Sequence, residues 1–390
     1  MDFTKLTTYL NSLEEAYGVH GLDCKVMKDH KTVYRQMIGL SDYALSVPVT
    51  DYDLYEVYSC TKIITMTAVM QLIEQGKIGL YDELAKYLPE FAEMQIATDF
   101  ILGEWPFKWP TLASPLVPAK NKILIHHLMS MTAGLTYDVA SEPILEKKRE
   151  TDNKAGTREM IAAIARMPLI CEPGTRFSYA LGHDILAAVV EQVSSMTFGQ
   201  YLKKNIFDPL AITEMYFKVP ESEKYRITAQ YMKDMTTGVI APHSGNIFRL
   251  SDAYESGGAG LACTVDAYSM VLDALANYGV GASGERILWP ESIRTMSKNW
   301  LTDQQLEDFK KSGKVGYGYG LGVRTLIDGT TSKSPVGEFG WDGAAGAYAL
   351  IDPIHNISIF YAHEILGMIT AYSEIHPTIR DLAYEALKDK

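Results

Sequence analysis

Between residues 61 and 75 the apolar side chains Ile63, Met66, Val69, Met70 and Ile73 recur at intervals of three and four. Such a stripe is one face of an α-helix, and Gly76 stands where a helix of this kind stops. Ser59 falls at or just before its first turn. Ahead of it, residues 21–27 and 32–38 flank the polar Lys28-Asp29-His30-Lys31 and predict a β-hairpin. From about residue 82 to 252 the chain is irregular and helix-rich, and no strand pattern runs through it. Residues 159–166 and 185–194 predict helices there, and Pro106, Pro110, Pro115 and Pro118 mark a long loop. A further helix is predicted over 267–278, N-capped by Asp266 and followed by a Gly-rich turn at 279–284. The last third returns to strands at 320–326, 345–351 and 357–363. It closes with an amphipathic helix over 377–388 through Ile379, Leu382, Ala383 and Leu387. Strands at both ends with helices between predict one sheet built from the two ends of the chain, with a helical region inserted into it.

Composition narrows the function classes. The 390 residues are 47% hydrophobic and 22% charged, enough for a large core and about two to three domain-sized units. A chain this apolar buries enough surface to offset its ordering entropy, which excludes disorder. The 36 basic and 48 acidic groups give a net charge of −12, whereas nucleic-acid and anionic-membrane partners need a basic stripe. No apolar run approaches the roughly 18 residues of a membrane span. The first five residues show no basic segment leading into an apolar one, so a cytoplasmic location is expected. Cys24, Cys60, Cys171 and Cys263 form no C-x-x-C pair and are expected to be reduced and mostly buried.

The chain contains no G-x-S-x-G, no H-E-x-x-H, no P-loop and no G-x-G-x-x-G. It does contain a single S-x-x-K, Ser59-Cys60-Thr61-Lys62. Roughly one such match is expected by chance in a chain of this length, so its place at a helix start is what gives it weight. One turn of helix puts the lysine ammonium beside the serine hydroxyl, and the positive helix end favours the developing alkoxide. A partly desolvated lysine can take the serine proton, and backbone N–H groups at the helix start can hold an oxyanion. The same spacing also suits an N-capping serine with an exposed lysine.

The surroundings of this motif resemble the serine β-lactamase and penicillin-recognising family, in its class C-like and carboxylesterase (family VIII) branch. Ser59 to Lys62 with the following helix and Gly76-Lys77-Ile78-Gly79-Leu80-Tyr81-Asp82 is similar to the family's first motif block. Further similar blocks follow in family order: Ile125-His126-His127-Leu128-Met129-Ser130-Met131-Thr132-Ala133-Gly134-Leu135, then Pro173-Gly174-Thr175-Arg176-Phe177-Ser178-Tyr179, then Gly257-Gly258-Ala259-Gly260-Leu261. The resemblance implies an α/β (α+β) fold, an antiparallel sheet flanked by helices with an inserted, mostly helical domain. The expected division is 1–82 with 253–390 for the sheet part and 83–252 for the helical part, with the site in the cleft between them.

By the same resemblance Tyr179 is the tyrosine that serves as general base, its phenol pKa lowered by the adjacent lysine. The usual Tyr-x-Asn reads Tyr179-Ala180-Leu181, so Leu181 takes the place of the substrate-orienting amide. The literal Tyr9-Leu10-Asn11 precedes the nucleophile and is set aside. For the third motif, Lys311-Ser312-Gly313 fits the letters and Trp341-Asp342-Gly343 fits the position before an apolar strand. The position favours the second, and tryptophan there is the pattern of the carboxylesterase branch. An indole offers a flat apolar wall and one N–H, where a substrate carboxylate would want a cation. Gly343 lets the edge strand approach, and the resemblance places the Ala344 N–H with that of Ser59 as an oxyanion hole.

His183 and Asp184 are neighbours on one helix and point in different directions, so they are expected to be structural rather than members of a triad. The alternation Gly316-Tyr317-Gly318-Tyr319-Gly320-Leu321-Gly322 precedes a strand and is expected to enter it, not to cradle phosphate. The expectation is a serine hydrolase of neutral, fairly apolar carboxylic esters. Ser59, Lys62 and Tyr179 are catalytic, the Ser59 and Ala344 amides hold the oxyanion, and Trp341, Gly343 and Leu181 meet a small-molecule acyl substrate. No metal or organic cofactor is implied, and the oligomeric state is left open. β-Lactamase or D-amino-acid peptidase action, acyl transfer, and a non-catalytic ligand-binding module are the alternatives.

Overall fold

The expected hairpin is formed by the strands Gly21–Lys28 and Lys31–Asp42. Asp29 and His30 turn the chain at φ of 49° and 64°, a region that Asp and His tolerate better than most residues. The structure is a computed structural model describing residues 1–103 and 108–388, so Pro106 of the predicted loop lies outside the described residues. Gly21–Lys28 pairs antiparallel with Ile357–Ala362, which joins the two ends of the chain in one sheet. The eight strands run in the order Tyr317–Tyr319, Arg324–Leu326, Phe339–Asp342, Tyr348–Asp352, Ile357–Ala362, Gly21–Lys28, Lys31–Asp42 and Val47–Pro48, each pair antiparallel.

Helices cover both faces, which is why the central strands are apolar throughout rather than alternating. On Ile357–Ala362, Ile359 and Tyr361 face one core with Leu6, Leu10 and Leu13 of the helix Thr4–Tyr17 and Ile379 and Ala383 of His376–Lys388. Phe360 and Ala362 face the other, where Phe360 stacks at 4.3 Å on Tyr268 of the helix Val265–Ala276. Successive side chains of a strand point to opposite faces, so each layer takes every second residue. The same second core holds the helix Thr61–Glu74, packed against Gly182–Ser194.

Several expectations change in detail. Residues 320–326 are not one strand: Tyr317–Tyr319 and Arg324–Leu326 pair with each other across a turn that puts Gly322 at φ 75°. The cap of Val265–Ala276 is Thr264, whose hydroxyl accepts from the Ala267 N–H at 3.1 Å, while Asp266 sits in the first turn and pairs with Lys25 and Arg35. The middle region does contain strands, among them Gln95–Ala97 with Leu116–Pro118 and Gln230–Lys233 with Ile240–His243. Elements of three or four residues are too short for an alternation to show in sequence. All four cysteines are free, three of them buried. Among the described residues no helix is long and apolar enough to cross a membrane.

Candidate active site

Ser59 stands in a 3-10 turn, Tyr58–Cys60, that runs directly into the helix Thr61–Glu74. Tyr58 reaches the turn at φ 42°, a strained conformation for a bulky residue that persists only where the surroundings fix it. Its buried hydroxyl donates to Gln230 Oε1 at 3.0 Å, Gln230 Nε2 donates to Glu364 at 3.1 Å, and Glu364 also accepts the Glu56 N–H at 2.7 Å. Burial pushes the Glu364 carboxyl well above the usual carboxylate range, and the neighbouring Glu56 adds to this.

One turn along, Lys62 Nζ donates to Ser59 Oγ at 3.2 Å and to the Gly258 carbonyl at 2.8 Å. Lys62 is completely buried. Burial favours the neutral amine and lowers its pKa to about 7, while Asp184 acts in the opposite direction. With a pKa of about 7, a substantial share of this amine is neutral at pH 7, and a neutral amine in contact with a serine hydroxyl is able to take its proton.

Asp184 touches neither partner but fixes the loop that does. Its Oδ1 accepts from Tyr254 Oη at 2.8 Å, Ser256 Oγ at 2.6 Å and the Gly258 N–H at 3.3 Å. That loop needs its glycines, since a Cβ at Gly257 would lie 2.5 Å from the His183 carbonyl and one at Gly258 2.4 Å from Asp184 Oδ2. His183 itself is buried with neither ring nitrogen bonded among the described residues, and burial keeps it neutral. No Ser-His-Asp relay forms, as expected. Asp184 has the structural role expected of it, as the anchor of the 254–258 loop.

Tyr179 lies over Lys62, the ammonium 4.7 Å from the ring centroid. Trp341 stacks on it at 5.5 Å and donates its indole N–H to Tyr179 Oη at 3.0 Å. The indole N–H expected to face substrate therefore holds the tyrosine. The lowered phenol pKa implied by the resemblance is not what the site produces. Burial raises it, opposed in part by Ser59 and Trp341. The group whose pKa falls is Lys62.

Trp341 lies next to last in the strand Phe339–Asp342, and its carbonyl accepts from the Cys60 thiol at 3.6 Å. Burial pushes that thiol up, so Cys60 packs the turn against the strand and is no rival nucleophile. At Gly343 a Cβ would lie 2.5 Å from the Val57 carbonyl, so only glycine allows this approach to the Ser59 turn. Tyr372 Oη donates to the carbonyls of Gly343 and Ala344, each at 3.0 Å, and fixes the segment.

Ser59, Tyr179, Trp341, Gly343 and Ala344 line one cavity of about 360 Å³, together with Tyr137, Phe248 and Tyr372. Leu181 does not reach it: only 2% exposed, it belongs to the core at the start of Gly182–Ser194. Lys311 lies at the exposed end of the helix Asp303–Lys310, near Asp308, so Lys311-Ser312-Gly313 is not a strand motif. Ser312, Gly313 and Lys314 nevertheless reach the cavity wall. The sequence did not single out the lining residues Tyr137, Phe248, Lys314, Ile369, Tyr372 and Ser373. Tyr137, packed edge-on to Tyr179 at 5.3 Å, lies two positions past the recognised block that ends at Leu135. Lys314 pairs with Asp342, whose carboxyl, despite burial, is held well below its usual range by Lys314, Arg324 and His376. Among the described residues no cluster of His, Cys, Asp and Glu could hold a metal.

A model of the Beta-lactamase family matches residues 6–383. The lovastatin esterase of Penicillium rubens is 28% identical over 297 residues, covering 71% of each chain. The esterase EstB of Burkholderia gladioli is 25% identical over 362 residues, 86% of this chain and 83% of that one. The solved structure of EstCE1, a hydrolase with promiscuous acyltransferase activity, superposes with a TM-score of 0.78 over 98% of both chains at 22% identity.

Gly343→Ala is expected to force the edge strand away from Val57 and to destabilise the protein by about 1–3 kcal/mol, measured as a lowered midpoint of urea unfolding.

Proposed function

Because the chain belongs to the beta-lactamase family, we propose that it is a serine hydrolase that cleaves neutral, fairly apolar carboxylic esters through an acyl-enzyme on Ser59. The observation that carries this reading is the bond between Ser59 and a buried Lys62 in a cavity walled by Trp341, Tyr137, Phe248 and Tyr372. The esterases among its relatives support the same reaction class.

In this scheme neutral Lys62 takes the Ser59 proton as Oγ attacks the ester carbonyl. The N–H groups of Ser59 and Ala344 hold the oxyanion. No acceptor among the described residues takes the Ala344 N–H, which leaves it free for that role. The tetrahedral adduct then expels the alcohol oxygen, which takes a proton from Tyr179 Oη, and Tyr179 recovers one from the Lys62 ammonium. Its raised pKa suits a phenol that passes protons on and does not act as a standing phenolate. Trp341 occupies one lone pair of that oxygen and so orients the phenol. Water attacks the acyl-enzyme, yielding a proton to Lys62; the adduct then breaks its bond to Ser59 Oγ, which takes that proton back from the Lys62 ammonium, so that the acid leaves and both residues are restored. We place this cleft between the sheet part, 1–82 with 253–390, and the mostly helical part, 83–252.

A β-lactam or peptide substrate would bring a carboxylate. Lys314, the cation on the cavity wall, is already paired with Asp342, which favours neutral esters.

Ser59→Ala is expected to abolish hydrolysis of p-nitrophenyl butyrate with the thermal melt unchanged, and retained turnover would overturn the assignment. In the wild type, kcat/KM should rise with pH through about 7 as Lys62 loses its proton. Asp184→Asn removes the carboxylate that favours the ammonium, so the acidic limb of that profile should move to lower pH.

A further inference from the structure

Beyond Tyr137 and Tyr179 lies a second cavity, of about 390 Å³, walled by Leu102, Trp109, Phe177 and Ser178. It shares Tyr137, Tyr179 and Ser312 with the first cavity but contains neither Ser59 nor Ala344. Its surface is apolar and held in place: Trp109 stacks on Phe100 at 5.8 Å, and Phe177 packs edge-on against Phe309 at 5.1 Å and Tyr319 at 5.3 Å. The charged groups at its edge are mutually paired, Asp308 with Arg176 at 2.5 Å and with Lys311 at 3.8 Å. At the wall common to both cavities the buried Tyr137 hydroxyl faces Ser59.

An ester divides at its carbonyl, and the two halves have different requirements. The carbonyl carbon must meet Ser59 Oγ and its oxygen must meet the Ala344 amide, and both groups belong to the first cavity alone. The leaving oxygen must face a proton donor, and Tyr179 is where the second cavity begins. We propose that the second cavity is the alcohol pocket, which takes the apolar alkyl or aryl alcohol half of the ester, while the acyl chain lies in the first cavity along Trp341, Tyr372 and Ile369. The assignment rests on the hydrolase reading and adds to it a division of the substrate between two chambers of similar size. Leu102 and Trp109 then set alcohol preference and Ile369 sets acyl preference.

The test uses the full chain and two substrate series, the p-nitrophenyl esters from acetate to octanoate and the butyrate esters from ethanol to octanol. Leu102→Trp fills the second cavity. It should lower the ratio of kcat/KM for octyl over ethyl butyrate by about tenfold or more, the scale on which hydrophobic pockets discriminate. The octanoate-to-acetate ratio should stay within about twofold of wild type. Ile369→Trp, in the first cavity, should do the reverse. Selectivity moving in the opposite series, or a loss spread evenly over both, would overturn the assignment. Failure of the hydrolase reading looks different, as wild-type protein that turns over no ester of either series.

Discussion

The burial of one lysine sets the terms for the rest of this site. Lys62 is shut away from water, and among the described residues its hydrogen-bond acceptors are neutral, a serine hydroxyl and a backbone carbonyl. The charged form therefore loses solvation that these contacts and the Tyr179 ring repay only in part, and the pKa of the amine falls to about 7. The same apolar setting raises the phenol of Tyr179. One physical cause thus moves the Lys62 pKa down and the Tyr179 pKa up, which is the separation into proton acceptor and proton donor on which the proposed scheme rests. Asp184 tempers the effect from one residue away, since the loop it grips supplies the carbonyl that Lys62 reaches.

Holding these groups at contact distance requires backbone segments to approach more closely than side chains allow. Gly343 rides on the Val57 carbonyl, and Gly257 and Gly258 ride on His183 and Asp184. The strained Tyr58 is the counterpart on the nucleophile side, fixed through Gln230 and the buried acid Glu364. Trp341 connects the two halves of the site, with its carbonyl on Cys60 and its indole N–H on Tyr179. Replacing a cation by this indole removes a carboxylate partner and also ties down the tyrosine.

The elements that were legible in the sequence are those whose periodicity is long enough to read. The helix Thr61–Glu74 and the hairpin carry clear patterns. Ser59, Lys62, Tyr179, Trp341 and Gly343 came through motif blocks that keep their spacing. Leu181 was misplaced because motif letters give a position in the chain and not a direction, and a residue at the start of a buried helix faces the core. The pKa of Tyr179 could not be inferred from its neighbour alone, because the net burial that decides it is a property of the whole fold. Tyr137 and Lys314 come from loops without periodic pattern, brought to the cavity by tertiary packing. Asp184 was judged only as a partner for His183, and its actual partners lie some 70 residues away.

The central claim is that Lys62 is a largely neutral amine at physiological pH. Titration of its side-chain nitrogen by 15N NMR in protein labelled at lysine, with the resonance assigned through Lys62→Met, measures this directly. The account predicts a midpoint near 7. A midpoint close to the ordinary lysine value of about 10.4 would contradict it.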